Sequence, residues 1–150
     1  MADKLTFYTN PMSRGRIIRW MLEEVGQPYE TVILGYGTSM KGPDYLAINP
    51  MGKVPAIKHG NAVVTEGAAI CAYLADVFPQ ANLGPANNEE RARYYRWMFF
   101  AAGPIEAAAN AKSMGWEAPA DKQGMLGYGS MAHVLDALEY ALKDTPYVAG

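Results

Sequence analysis

The stretch LTFYTNPMSRGRIIRWMLEEVG, residues 5–26, decides the fold that this sequence predicts. Its first five residues alternate in hydrophobicity, as a strand with one buried face does. From Ser13 onward apolar residues recur at the spacing of an amphipathic helix, and Gly26 favours the helix end. The helical stripe has five members: Ile17, Ile18, Met21, Leu22 and Val25. Residues 29–34 are β-branched and apolar, so the sequence begins with a strand, a helix and a second strand.

The following segment predicts a β-hairpin and then a helix. A loop rich in Gly and Pro precedes residue 45, and residues 45–58 lead into the apolar run 62–65. Gly60 and Asn61 between them form a favourable hairpin turn. Residues 66–78 then carry apolar side chains at helical spacing, so a second helix closes this half of the chain.

The rest of the sequence predicts a second, helical part. Residues 80–88 contain Pro, Gly and Asn with few apolar side chains, which indicates a linker. Residues 89–100 are predicted as a helix that carries five aromatic residues, and residues 131–142 as a last helix. The predicted class is therefore α/β plus α, with domains at residues 1–79 and 89–150.

Composition excludes several classes of protein. The 150 residues are 50% hydrophobic and 19% charged, which favours a globular chain over a disordered one. Thirteen basic against fifteen acidic residues leave a net charge of −2, so bulk nucleic-acid binding is not expected. The sequence has no signal-peptide pattern and no long uninterrupted apolar run. With a single cysteine, Cys71, the sequence predicts a cytoplasmic protein that binds neither nucleic acid nor membrane.

Three motifs together resemble the cytosolic glutathione S-transferases of bacterial type. They are FYTNPMSR at residues 7–14, NPMGKVP at residues 49–55, and TEGAAI at residues 65–70. The resemblance implies an N-terminal thioredoxin-like βαβ-ββα domain that binds glutathione. It also implies an all-helical domain that supplies the pocket for a second substrate. Because relatives continue beyond the position that corresponds to Gly150, we expect these residues to be part of a longer chain, with the helical domain incomplete.

The resemblance places the catalytic group near the start of the first helix. A free thiol has a pKa of ~8.5, so the site must stabilise the thiolate that attacks the substrate. Ser13 offers a hydroxyl beside a helix N-terminus, although a serine in that place can also be only a helix cap. Tyr8 and Asn10 are the alternatives, because different classes of the family align differently here. We rank Ser13 first, then Tyr8, then Asn10.

The same resemblance implies the residues that hold glutathione. Val54, before a cis Pro55, offers its backbone to the cysteinyl part of glutathione. Glu66 faces the γ-glutamyl amine, and the amide of Gly67 receives the γ-glutamyl carboxylate. The family usually has Ser where this chain has Gly67, so one hydroxyl contact is missing.

Further residues have weaker assignments. Lys41 and Lys53 match basic positions that hold the glycine carboxylate in relatives. Tyr94 and Trp97 on the aromatic helix are expected to line the second-substrate pocket. No metal is expected, because neither His59 nor His133 has the spacing of a metal ligand.

The implied function is glutathione transfer to a small apolar electrophile, by a homodimer that acts in detoxification. One alternative is a glutathione-dependent isomerase, dehalogenase or peroxidase on the same fold. Another is a non-catalytic glutathione-binding assembly module. Thiol-disulfide chemistry on the protein is disfavoured, since no Cys occurs near Ser13.

Overall fold

The computed structural model describes residues 3–149. The chain forms two compact units, one ending at Gly84 and the other beginning at Pro85. The sequence-based domain limits, residues 79 and 89, stay predictions. A membrane-spanning helix needs roughly 20 apolar residues, and no helix among the described residues meets that requirement of length and hydrophobicity.

The first unit is a four-stranded mixed sheet with three helices. In chain order these are β1 (Leu5–Thr9), α1 (Gly15–Val25), β2 (Glu30–Ile33), α2 (Pro43–Leu46), β3 (Ala56–His59), β4 (Ala62–Thr65) and α3 (Gly67–Val77). The strand order is β2-β1-β3-β4, with β1 parallel to β2 and antiparallel to β3. The predicted thioredoxin-like βαβ-ββα arrangement is confirmed. The short helix α2 is not predicted by the sequence pattern; it begins at Pro43, whose fixed φ suits a first helical residue.

The apolar pattern of α1 correctly predicted the end of the helix and its buried apolar residues, but it also included an exposed one. Gly26 ends the helix in the left-handed region, with φ of 69°, and its amide donates to the Leu22 carbonyl at 3.1 Å. Ile18 and Leu22 are fully buried, as predicted. Ile17 was predicted in the same stripe, but its side chain is 54% exposed. Its neighbour Ile18 faces the core, and the one-residue step turns the Ile17 side chain away from the buried face of the helix.

The main core lies between the sheet and the two long helices. It consists of eight buried residues: Leu5, Phe7, Ile18, Leu22, Val25, Ile57, Ile70 and Leu74. Cys71 packs against this cluster, and its burial raises the pKa of the thiol. Cys71 is therefore a partly buried residue at the edge of the core.

The β3-β4 hairpin has the predicted two-residue turn. His59 pairs with Ala62, and Gly60 between them has a φ of 57°, which glycine adopts without strain. This hairpin completes the sheet and leads directly into α3.

The second unit is helical. Its helices are α4 (Asn88–Phe100), α5 (Glu106–Met114) and α6 (Met131–Leu142). The Asn87 side chain accepts a hydrogen bond from the Glu90 amide at 2.9 Å, which caps α4. A π-helical turn, Ala101–Ile105, joins α4 to α5 without a break. The sequence did not predict α5, because Gly103 and Pro104 indicate a helix end, whereas here the wider turn accommodates both.

Candidate functional site

A cleft of about 560 Å³ lies at the N-terminal end of α1. Its walls come from the start of α1, the segment after β2, and the loop before β3. We call it the α1 cleft. It is lined by Met12, Ser13, Arg14, Arg16, Ile17, Tyr36, Gly37, Met40, Lys41, Gly52, Lys53 and Val54.

The close approach of α1 to β1 depends on a glycine. Gly15 is buried at the first position of α1. A Cβ atom at this position would overlap Thr9 Oγ1 and would lie 2.9 Å from Ser13 Oγ. The absence of a side chain at Gly15 therefore lets the helix start directly against the end of β1, which sets the position of Ser13.

Ser13 is held by two hydrogen bonds. Its hydroxyl donates to the Asn10 carbonyl at 2.6 Å and accepts from the Gly15 amide at 3.0 Å. These two bonds fix the serine in the turn before α1, whose cap residue is Arg14. A hydroxyl has one hydrogen, so donation to a ligand in the cleft requires the hydroxyl to turn away from the Asn10 carbonyl.

The Asn10 side chain joins the β1-α1 turn to the end of β2. Its Nδ2 donates to the Leu34 carbonyl at 2.8 Å, and its Oδ1 accepts from the Met12 amide at 2.9 Å. Both ends of the amide are thus engaged in backbone contacts. The Asn10 side chain does not belong to the lining of the α1 cleft.

Tyr8 packs into a second, smaller apolar cluster. Its ring centroid lies 5.6 Å from that of Tyr45, beside the buried residues Leu34, Met40 and Ala56. The Tyr8 hydroxyl makes no hydrogen bond with residues 3–149, and Tyr8 does not line the α1 cleft. Of the three candidates for the sulfur contact, Ser13 is therefore the one within the cleft wall.

The loop before β3 is held by three side chains. The Lys53 carbonyl accepts hydrogen bonds from the Tyr45 hydroxyl at 2.6 Å and from Asn49 Nδ2 at 2.8 Å. Lys41 Nζ donates to the Gly52 carbonyl at 2.8 Å and to the Met51 carbonyl at 3.2 Å. These bonds fix the backbone immediately before Val54.

The Tyr45 hydroxyl stays protonated well above neutral pH. Desolvation, helped by the neighbouring Tyr8 and opposed by the contact with Asn49, raises the pKa of Tyr45 to about 12. Tyr45 therefore remains a hydrogen-bond donor to the loop throughout the neutral pH range.

The Val54-Pro55 peptide bond is cis, as the resemblance implied. Val54 lines the α1 cleft, and β3 begins directly after Pro55. Lys41 and Lys53 lie in the same lining. The structure thus brings together Ser13, both lysines and Val54.

Glu66 and Gly67 lie where β4 ends and α3 begins, outside the lining of the α1 cleft. Glu66 is exposed and has a φ of 69°, a value that is uncommon for any residue other than glycine. Gly67 has open space around it, because an added Cβ would meet no atom within 4 Å. A side chain at position 67 would therefore fit without displacing a neighbour.

The sequence did not predict several of the residues that line the α1 cleft. Ile17 was predicted in the core stripe, Met12 lies in the first motif without an assigned role, and Tyr36 occurs in no motif. Their spacing carries no signal for a cleft wall. Arg14 and Arg16 follow Ser13 closely in the sequence and were considered as a source of positive potential, although arginines at a helix start are more often solvated than functional.

Tyr94 and Trp97 belong to α4 in the second unit. The Trp97 ring lies 4.9 Å from the Arg96 guanidinium and packs on Phe100 at a centroid distance of 5.2 Å. Trp97 also lines a groove of about 370 Å³ with Tyr140 and Tyr147. The role of Tyr94 and Trp97 in a second-substrate pocket stays a prediction.

No group of three or more potential metal ligands occurs within residues 3–149. His59 Nδ1 lies 3.0 Å from the Tyr73 hydroxyl, so this histidine takes part in a side-chain contact.

A mixed four-stranded sheet of this order, with a cis-proline loop before β3, defines a thioredoxin-like domain. A model of the glutathione S-transferase N-terminal domain matches residues 12–77. Glutathione S-transferase F10 of Arabidopsis thaliana is 31% identical over 163 aligned positions, covering 97% of this chain and 73% of that protein. The chain belongs to the glutathione S-transferase family.

Two further comparisons agree with this assignment. Glutathione S-transferase 1 of Zea mays is 38% identical over 90 residues, which cover 59% of this chain and 42% of the maize protein. A glutathione transferase homologue from Sulfitobacter, solved with bound glutathione, superimposes with a TM-score of 0.76 at 30% identity. That superposition covers 98% of this chain and 74% of the homologue. The match to the maize relative thus spans less than half of that relative's length.

Proposed function

We propose that this protein is a glutathione S-transferase that binds glutathione at the α1 cleft and activates its thiol for attack on a small electrophile. The observation that carries the proposal is the placement of the Ser13 hydroxyl, at a helix N-terminus, in one cleft with Val54 and two lysines. The bound glutathione of the Sulfitobacter homologue supports it.

In this proposal each part of glutathione has a counterpart in the first unit. The backbone of Val54 pairs with the cysteinyl part in the manner of an added strand. Lys41 and Lys53 attract the glycine carboxylate; two carbonyls occupy two of the three Lys41 donors and leave its charge unneutralised. Glu66 pairs with the γ-glutamyl amine, and the Gly67 amide at the start of α3 receives the γ-glutamyl carboxylate.

The chemical step follows from stabilisation of the sulfur anion. The thiol proton leaves to solvent, and the Ser13 hydroxyl turns from the Asn10 carbonyl to donate to the thiolate. Lowering the thiol pKa by about two requires roughly 2.7 kcal/mol, which one charge-assisted hydrogen bond and a helix N-terminus can supply. The thiolate then forms a bond to the electrophilic carbon, and the leaving group departs with its electron pair.

The finer assignments are part of the same proposal. A cytoplasmic homodimer that acts in detoxification follows from the family resemblance, as does a largely apolar electrophile. Isomerisation, dehalogenation or peroxide reduction with glutathione needs the same activated thiol. A non-catalytic binding module needs only the glutathione contacts.

Calorimetry with glutathione, followed by turnover with a panel of electrophiles, tests the proposal. We expect saturable binding to the full chain and conjugation of at least one electrophile. Binding without turnover would favour the non-catalytic module, and the absence of binding would contradict the proposed function.

A first prediction concerns Glu66. Glu66→Ala should raise the Michaelis constant for glutathione more than it lowers the maximal rate, because the γ-glutamyl contact is equally present before and during the reaction. Initial-rate kinetics at varied glutathione measures both quantities. Glu30→Ala is a suitable control, since Glu30 is an exposed acid in the same unit whose ion-pair partner is Lys4.

The open space at Gly67 allows a second test of the γ-glutamyl contacts. Gly67→Ser restores the hydroxyl that relatives have, without a steric clash. Glutathione should therefore bind at least as tightly as to the native protein. Weaker binding by calorimetry would mean that another contact has replaced the usual one.

A further inference from the structure

The α1 cleft is lined by four cationic side chains: Arg14, Arg16, Lys41 and Lys53. Its lining includes no carboxylate. The Arg16 side chain forms no ion pair or hydrogen bond with any residue between 3 and 149. The positive charge of Arg16 is therefore not neutralised by the described part of the protein.

The proposed contacts with glutathione do not involve Arg16. In the thiolate form glutathione carries two carboxylates, one thiolate and one ammonium group. The proposed contacts direct one carboxylate to Lys41 and Lys53, the other to the start of α3, and the thiolate to Ser13. None of these contacts uses Arg16, which lies beyond Ser13 along α1.

The neighbours of Arg16 in the cleft wall are apolar. Met12 is 84% exposed and Ile17 is 54% exposed, and both line the cleft. An exposed apolar surface beside an unpaired guanidinium suits a ligand with an apolar body and an anionic end. The guanidinium can hold a carboxylate through two parallel hydrogen bonds.

We infer that the second substrate is an amphiphilic electrophile, with an apolar body that contacts Met12 and Ile17 and a carboxylate that pairs with Arg16. This inference rests on the proposed function and names the substrate class for the same site. It departs from the purely apolar electrophile that the resemblance implied.

A chloronitrobenzoate and its methyl ester form a matched pair of probes, because they differ in the negative charge. In each reaction the glutathione thiol loses its proton to solvent. The thiolate sulfur then forms a bond to the ring carbon that carries chlorine. The carbon-chlorine bond breaks, and chloride leaves with the electron pair.

The experiment compares kcat/KM for the two probes with the full chain, each divided by its uncatalysed second-order rate constant. We expect the normalised value for the carboxylate to exceed that for the ester by about fivefold, the upper range for an exposed ion pair. Arg16→Gln should bring the ratio close to one, and Arg16→Lys should retain part of it. Added salt should lower the ratio in the native protein, since exposed ion pairs are screened.

Arg19→Gln is the matched control, because Arg19 is exposed on the same helix and does not line the cleft. It should keep the native ratio. A native ratio of one, or a ratio that is the same in native and Arg16→Gln proteins, would overturn the inference. Glutathione binding without turnover of either probe would also overturn it, whereas failure to bind glutathione would overturn the proposed function itself.

Discussion

Replacing Ser13 with Ala is expected to lower turnover of a model electrophile by about 10- to 100-fold. This corresponds to loss of a hydrogen bond to an anion worth roughly 1.5 to 3 kcal/mol. Binding of glutathione should change much less, because most of its contacts lie on Val54, the lysines and the start of α3. Steady-state kinetics and calorimetry on the same preparations measure the two effects.

The Ser13 variant also loses a hydrogen bond from a backbone amide at the start of a helix, so its control must lose one too. Ser130 accepts a hydrogen bond from the His133 amide at 3.3 Å at the start of α6, as Ser13 does from Gly15 in α1. Each alanine variant should lose about 1 kcal/mol of stability in a thermal melt, the usual contribution of one hydrogen bond. Only Ser13→Ala should lose turnover. Unchanged turnover in Ser13→Ala, with a collapse in Tyr8→Phe, would move the catalytic role to Tyr8.

The second large effect is expected for Gly15→Ala. A glycine-to-alanine change in a helix ordinarily stabilises it by about 0.5 to 1 kcal/mol. At Gly15 the sign should reverse, because the new Cβ overlaps Thr9 Oγ1 inside the protein. We expect a loss of about 1 to 3 kcal/mol. Displacement of Ser13 should also lower turnover by up to about 100-fold.

Two further variants test whether this effect comes from the contact with Thr9. Gly103→Ala is a control in a helical segment where an added Cβ meets nothing within 4 Å, so its stability should not fall. Thr9→Ala removes the overlapping oxygen, and the double variant should recover part of the stability and turnover lost in Gly15→Ala. Strictly additive losses in chemical denaturation would contradict a steric origin.

The parts of the fold that the sequence predicted are those with a strong local pattern. Residues 5–26 alternate and then change to helical spacing, and Gly60-Asn61 marks a tight hairpin. Helix α5 was missed because Gly103 and Pro104 usually end a helix, and a π-helical turn that accommodates both has no recognisable sequence signal. Ile17 was assigned to the core because adjacent isoleucines fit the same stripe, while only the packing decides which is buried.

The sequence predicted mainly those residues of the candidate site that lie within recognisable motifs. Ser13 could be predicted as a helix cap or as a sulfur ligand, but the sequence does not show that its hydroxyl donates to the Asn10 carbonyl and must turn from it to reach a sulfur atom. The bonds from Lys41 to the loop before Val54 could not be predicted, since they join residues ten and eleven positions apart through a backbone conformation that no motif encodes. The apolar wall of the cleft depends on the same tertiary placement.

The ionisation of bound glutathione tests the central claim most directly. A titration of the thiolate absorbance, with the protein saturated by glutathione, measures the thiol pKa at the site. The proposal predicts a midpoint about two pH units below that of free glutathione, with most of the difference lost in Ser13→Ala. A midpoint equal to that of free glutathione, in a protein that binds glutathione, would contradict thiol activation by this site.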